Sequence, residues 1–163
     1  MKKRIIRISL TIIIIFLITW PLLPVSFSNV MPIDEDTTIS FSANAMVNYH
    51  EETYSINIPE SQKDSLEEIL EILKTSRYRQ DYRNLLPWRI GYVDADKNYD
   101  GHTVHLMFVY GNAKDEYVTI QFMSSSIIAV STKDTCGFRI YHPTNDKTIY
   151  ALVEYLKTHG TIQ

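Results

Sequence analysis

Two adjoining stretches in the middle of the chain carry the residue types best suited to chemistry. In one of them, Asp94-Ala95-Asp96-Lys97-Asn98-Tyr99-Asp100-Gly101, the side chains of Asp96, Asn98 and Asp100 fall at alternate positions before a glycine. This is the first half of a calcium loop, in which oxygens from alternate positions of a tight turn converge on one hard cation and the glycine permits the turn. The second half is missing, because Met107 stands where the loop needs a bidentate Glu and the residues after Gly101 have the pattern of a strand. Asp, Asn and Gly at such spacing also cap ordinary hairpin loops through side-chain to backbone hydrogen bonds. Calcium is the one cofactor this sequence suggests.

The other stretch combines positive charge with aromatic rings. Arg77, Tyr78, Arg79, Tyr82 and Arg83 follow Lys74, and Trp88 and Arg89 come shortly after. Guanidinium groups grip phosphate or carboxylate in a fork geometry, while Tyr and Trp supply stacking or interfacial contact. The matching ligand is an anionic surface such as lipid headgroups, a wall polymer or an acidic protein. The competing reading is a solvated helix end, where Lys and Arg suit the carbonyl terminus and Tyr78 and Tyr82 extend the buried stripe.

The remaining chemistry-bearing residues form no motif. His102 and His105 are three apart in a strand-like segment, and an odd spacing sends them to opposite faces. Ser124-Ser125-Ser126 lies in no G-x-S-x-G elbow and no S-x-x-K pair, so it reads as a turn between Phe122 and Ile127. Cys136 is the single cysteine; it cannot pair within the chain and reads as a small buried residue beside Phe138.

Positioning these residues requires a folded α+β unit. The segments 38–49 and 53–58 suggest an opening hairpin around His50-Glu51-Glu52. Leu66, Ile69, Leu70 and Leu73 then recur at i, i+3, i+4 and i+7, which predicts a helix of about 15 residues with Ser61 as N-cap. From Trp88 the period changes to two: Trp88, Ile90 and Tyr92, then Val104, Leu106 and Phe108, then Val118, Ile120 and Phe122, and lastly Phe138 and Ile140. Turn signals at Asp100-Gly101, Gly111-Asn112 and Lys133-Asp134 separate the runs, predicting an antiparallel meander of about four or five strands. A second helix over about 145–159 follows, with Pro143-Thr144-Asn145-Asp146 at its start and Gly160 at its end. The predicted fold is α+β, an N-terminal transmembrane or signal helix followed by an antiparallel sheet packed against two helices.

The N-terminus sets the cellular address. Lys2, Lys3, Arg4 and Arg7 precede an apolar run over 8–27, so the expected orientation is N-terminus inside and the rest of the chain outside. The run reaches the roughly 20 residues of a span only by including Pro21 and Pro24, and its uninterrupted part, 8–20, has the length of a signal-peptide core. An uncleaved single-pass anchor at the cell membrane and a cleaved leader with a secreted domain are therefore both open, with Ser26-Phe27-Ser28 as the usable cleavage window. The expected boundaries are 1–28 for anchor or signal peptide, 29–37 for a tether and 38–163 for the extracytoplasmic domain. All 19 acidic residues and 12 of the 16 basic ones follow residue 28, giving the outer part a formal charge of −7 and arguing against nucleic acid as a partner.

The basic-apolar leader, the charged helix Glu67-Glu68-Ile69-Leu70-Glu71-Ile72-Leu73-Lys74 running into a basic stretch, the meander, and the closing strand Gly137-Phe138-Arg139-Ile140-Tyr141 before a last helix form a recognisable layout. It resembles small uncharacterised membrane-anchored or secreted domains of Gram-positive type. The resemblance implies a membrane-attached or secreted accessory domain and transfers no site residues. The expected function is an extracytoplasmic non-catalytic binding module in a sensory, modulatory or immunity-like role, with a membrane protein or an anionic envelope component as partner. The alternative is a small exported cell-envelope enzyme.

Overall fold

Apolar residues at every second position give each long strand one face that must be buried, and a broad antiparallel sheet results. A computed structural model of the chain describes residues 2–31, 38–47, 51–59, 62–85, 100–110, 117–132 and 137–163. In chain order the elements are helices α1 (Lys2–Thr19) and α2 (Phe27–Val30), strands β1 (Thr38–Val47) and β2 (Glu52–Pro59), helix α3 (Lys63–Lys74), strands β3 (Tyr78–Gln80), β4 (Thr103–Tyr110), β5 (Tyr117–Ser124), β6 (Ile127–Thr132) and β7 (Arg139–Pro143), helix α4 (Lys147–His159) and strand β8 (Thr161–Ile162). Short 3-10 turns lie at Trp20–Leu22 and Tyr82–Leu85. The described residues thus form a mixed α+β fold with one eight-stranded antiparallel sheet and four helices.

Strand order is β3-β7-β6-β5-β4-β1-β2-β8. The consecutive run β4 to β7 is an antiparallel meander that holds the expected strands at Val104, Val118 and Ile140 and one not expected, β6, and the β1–β2 hairpin adds to it through β1, which pairs with β4 from Phe41↔Phe108 to Met46↔Thr103. Alternation places Phe41, Ala43 and Ala45 of β1, Val104, Leu106 and Phe108 of β4, and Val118, Ile120 and Phe122 of β5 in the core. Leu66, Ile69, Leu70 and Leu73 of α3 and Ile149, Leu152, Val153 and Leu156 of α4 join the same cluster. The two helices lie side by side, with the Tyr155 hydroxyl donating to the Ser65 carbonyl at 3.3 Å. A small second cluster of Ile127, Ala129 and Ile140, with Met123 packed on it, sits apart from this core.

Several details differ from expectation. The sheet is larger than a meander plus hairpin, because the stretch after α3 forms the edge strand β3 on β7 and the chain's last strand, β8, adds to β2. Helix α3 is 12 residues long and begins without a side-chain cap at Gln62, and the expected cap Ser61 lies outside the described residues. The strand expected at Trp88, Ile90 and Tyr92, the turns at Gly111-Asn112 and Lys133-Asp134, and the positions of His50 and Cys136 also lie outside them. At the start of α4 the cap is Asn145, whose Oδ1 accepts the Lys147 N–H at 3.0 Å. Gly160 ends the helix for a reason of space: a Cβ there would stand 2.5 Å from the Leu156 carbonyl oxygen and 2.8 Å from that of Ser55.

The N-terminal region has two parts with opposite environments. Among the described residues no helix is long and apolar enough to cross a membrane, α1 carrying its cationic residues within its own 18 positions. Every large apolar side chain described between Ile6 and Leu17 is 48–65% exposed. A few residues later the chain enters the domain. Phe27, Val30 and Met31, positions expected in leader and tether, are buried in the main core, and Val25 exchanges two 2.9 Å backbone hydrogen bonds with Tyr78. Phe27→Ala is therefore expected to lower the unfolding free energy of the detergent-solubilised full chain by about 3 kcal/mol, read by denaturant titration. A loss under about 1 kcal/mol would mean that this segment is not part of the core.

Candidate functional site

The basic-aromatic stretch becomes the β3 edge of the sheet, and its residues separate into structural and free groups. Strand β3 pairs with β7 through Tyr78↔Pro143, Arg79↔His142 and Gln80↔Tyr141. Tyr78 is fully buried, its ring 5.9 Å from that of Phe27 and its hydroxyl donating to the Leu73 carbonyl at 2.7 Å. Burial pushes its phenol pKa far above the ordinary value. It is thus a packing residue and cannot meet a ligand.

Asp81 organises the turn after β3. Its carboxylate is 4% exposed and accepts hydrogen bonds from the Arg83 backbone N–H (2.7 Å), Arg83 Nε (2.8 Å), Arg83 Nη2 (2.7 Å) and His142 Nε2 (2.8 Å). Burial alone would raise its pKa, but the hydrogen bonds from Arg83 and His142 and the Arg83 charge outweigh burial and hold the carboxyl well below its ordinary value. The other ring nitrogen of His142, Nδ1, lies 2.9 Å from the Ser126 backbone oxygen. Both ring nitrogens therefore face protein oxygens. Asn84 completes the arrangement by bonding both the N–H and the carbonyl of Ile140, at 2.9 and 2.6 Å. The cluster ties the 3-10 turn, β7 and the β5–β6 turn together.

The serines take the turn role expected of them. Ser124 and Ser126 hydroxyls lie 3.1 Å apart, and the Ser126 N–H donates to Ser124 Oγ at 3.2 Å. Asp100 caps the same turn from a distance: its Oδ2 accepts the Ser125 N–H at 2.9 Å, and its Oδ1 faces the His102 N–H at 3.4 Å. Burial works against the charged form of Asp100, yet these hydrogen bonds prevail and lower its pKa. The other two expected calcium ligands, Asp96 and Asn98, lie outside the described residues, as do Trp88 and Arg89. The histidines separate as the odd spacing predicts, His102 standing edge-on to Tyr150 of α4 at 5.6 Å and His105 exposed on the other face of β4. Among the described residues no group of three or more His, Cys, Asp or Glu could hold a metal ion.

Arg77 and Arg79 remain. Both are exposed on either side of buried Tyr78, and neither makes an ion pair among the described residues. Tyr82, at the start of the 3-10 turn that follows, is 61% exposed. On the helix side of the molecule Asp64, Glu67, Glu68, Glu71, Ile72 and Tyr155 line an acidic groove of ≈ 570 Å³. Of the expected anion-binding set, the structure frees Arg77, Arg79 and Tyr82 and commits Tyr78 and Arg83 to the fold. Sequence reasoning missed His142 as the partner of Asp81 and Val25 as the partner of Tyr78. The spacing Asp81-x-Arg83 was the one local signal, since an aspartate oxygen two residues ahead of an N–H forms a side-chain turn.

Comparison with known proteins gives no match: no family model, curated protein or solved structure matches the chain.

Two outcomes test this geometry. Asp81 ionises with an ordinary value of 3.8 when unfolded and at a lower one when folded, so its stabilisation is complete above about pH 4 and is lost as pH falls toward the folded value. Asp81→Asn is expected to destabilise the chain by about 3 kcal/mol at pH 7 and to flatten the acid limb of its stability profile, measured by thermal unfolding between pH 3 and 7. Asp100→Ala is expected to cost about 1–2 kcal/mol in calcium-free buffer, because it strips the Ser125 N–H of its acceptor.

Proposed function

We propose that this chain is an extracytoplasmic, non-catalytic binding or accessory module, held at the cell membrane by a retained N-terminal helix with the sheet domain outside. The exposure of α1 carries the reading. The large apolar side chains described from Ile6 to Leu17 all stand exposed, more apolar surface than one helix of a monomer leaves to water, and lipid is the environment that satisfies it. Its 18 residues rise about 27 Å, close to the roughly 30 Å hydrocarbon core. The proposed span counts all 18 positions of α1, its cationic residues included. Trp20, 61% exposed at the other end, suits the opposite interface.

Retention of the helix is supported by the packing of residues 25–31. Cleavage in the window 26–28 would cut through α2, detach the Val25–Tyr78 pairing and remove Phe27 from the core. The non-catalytic assignment is supported by the engagement of the polar groups at the β3 edge: both His142 nitrogens lie against protein oxygens and the Ser126 hydroxyl lies 3.1 Å from that of Ser124. Fractionation of producing cells with intact-mass analysis tests the reading. The expected result is a full-length mass in the membrane fraction that resists alkaline extraction. A shorter mass in the medium, beginning near Asn29, would overturn it.

A further inference from the structure

The passage from α1 to the sheet determines which side of the domain faces the membrane. Only Leu23 and Pro24 separate the 3-10 turn Trp20–Leu22 from Val25, a reach of about 10 Å even when extended. Val25 is locked to Tyr78 by paired 2.9 Å hydrogen bonds, and the 3-10 turn lies beside β3. The first part of the domain met on leaving the helix is therefore the β3 edge, with no flexible linker between. Trp20 and Leu23, between α1 and Val25, are 61% and 51% exposed.

We infer that β3 rests on the membrane surface and that Arg77 and Arg79 hold the phosphates of anionic lipid headgroups, fixing the domain against the bilayer. The inference rests on the membrane reading above and adds the surface that docks and the ligand it takes. Charge selects this edge. The chain after residue 28 is net −7, and α3 carries an acidic groove that an anionic leaflet repels. Arg83 is neutralised by Asp81, whereas Arg77 and Arg79 are exposed without an ion pair among the described residues and flank Tyr78, the residue that Val25 pairs with after the helix. Tyr78 is buried, while Arg79 of β3 and Arg77 just before the strand are exposed on either side of it. Their planar guanidinium groups match phosphate oxygens in a two-pronged geometry, and exposed Tyr82 adds an aromatic of the kind that settles among headgroups.

The test uses the full-length chain reconstituted in vesicles of neutral phosphatidylcholine, with or without about one third phosphatidylglycerol. Each preparation contains one of two photoreactive lipids, with the probe in the acyl chain or in the headgroup, and peptide mapping locates the labels. Acyl-chain labelling within 8–20 reports on the anchor in every preparation. The expected result is headgroup labelling at 77–82 that falls about tenfold in Arg77→Glu/Arg79→Glu, in vesicles lacking phosphatidylglycerol, and at 0.5 M salt, with acyl-chain labelling unchanged. Headgroup labelling that is absent at 77–82, or indifferent to the variant and to lipid charge while 8–20 remains labelled, overturns the docking inference alone. Absence of acyl-chain labelling overturns the membrane reading itself. Both arginines are exposed and make no ion pair among the described residues, so the double variant leaves the fold intact.

Discussion

Tyr78 is where the parts of this molecule meet. Its N–H and carbonyl both bond Val25, its ring packs on Phe27, its hydroxyl holds the Leu73 carbonyl at the end of α3, and its strand pairs with β7. Sheet, helix layer and N-terminal segment are therefore joined through one buried side chain and its backbone. The edge of a sheet normally presents unpaired backbone groups. Here the edge strand is short, Val25 covers the part at Tyr78, and flanking arginines discourage the approach of another strand.

The same geometry explains why an acidic domain keeps a basic corner. A three-residue strand gains little stability from its own ladder, so its position depends on the turn at its C-terminal end. Asp81 anchors that turn, gathering Arg83 and His142 around a carboxylate that is almost wholly buried. Arg83 is committed to that purpose, and Asn84 fastens the 3-10 turn to Ile140. Projecting outward is the pair of arginines that the framework does not use. In this arrangement structural and surface roles alternate residue by residue along one short stretch.

Much of the framework was legible in the sequence. The i, i+3, i+4, i+7 stripe of α3, the alternating cores of β4 and β5, the serine turn and the last helix all appear where periodicity and turn residues placed them. Local order of this kind follows from backbone geometry within a few residues, so a single chain displays it. That the stretch after α3 forms a strand was not legible in this way, since three residues of strand cannot show a period.

Composition and pattern alone determined the acidic balance of the chain after residue 28 and the α+β class. Tertiary structure alone decided that Phe27 and Met31 belong to the core, that Val25 meets Tyr78, and that Asp81 meets His142 across 61 residues of chain. These contacts are set by how the chain returns to one sheet edge. No short-range propensity encodes that return, because its energy comes from burial and hydrogen bonding between segments that are strangers in sequence.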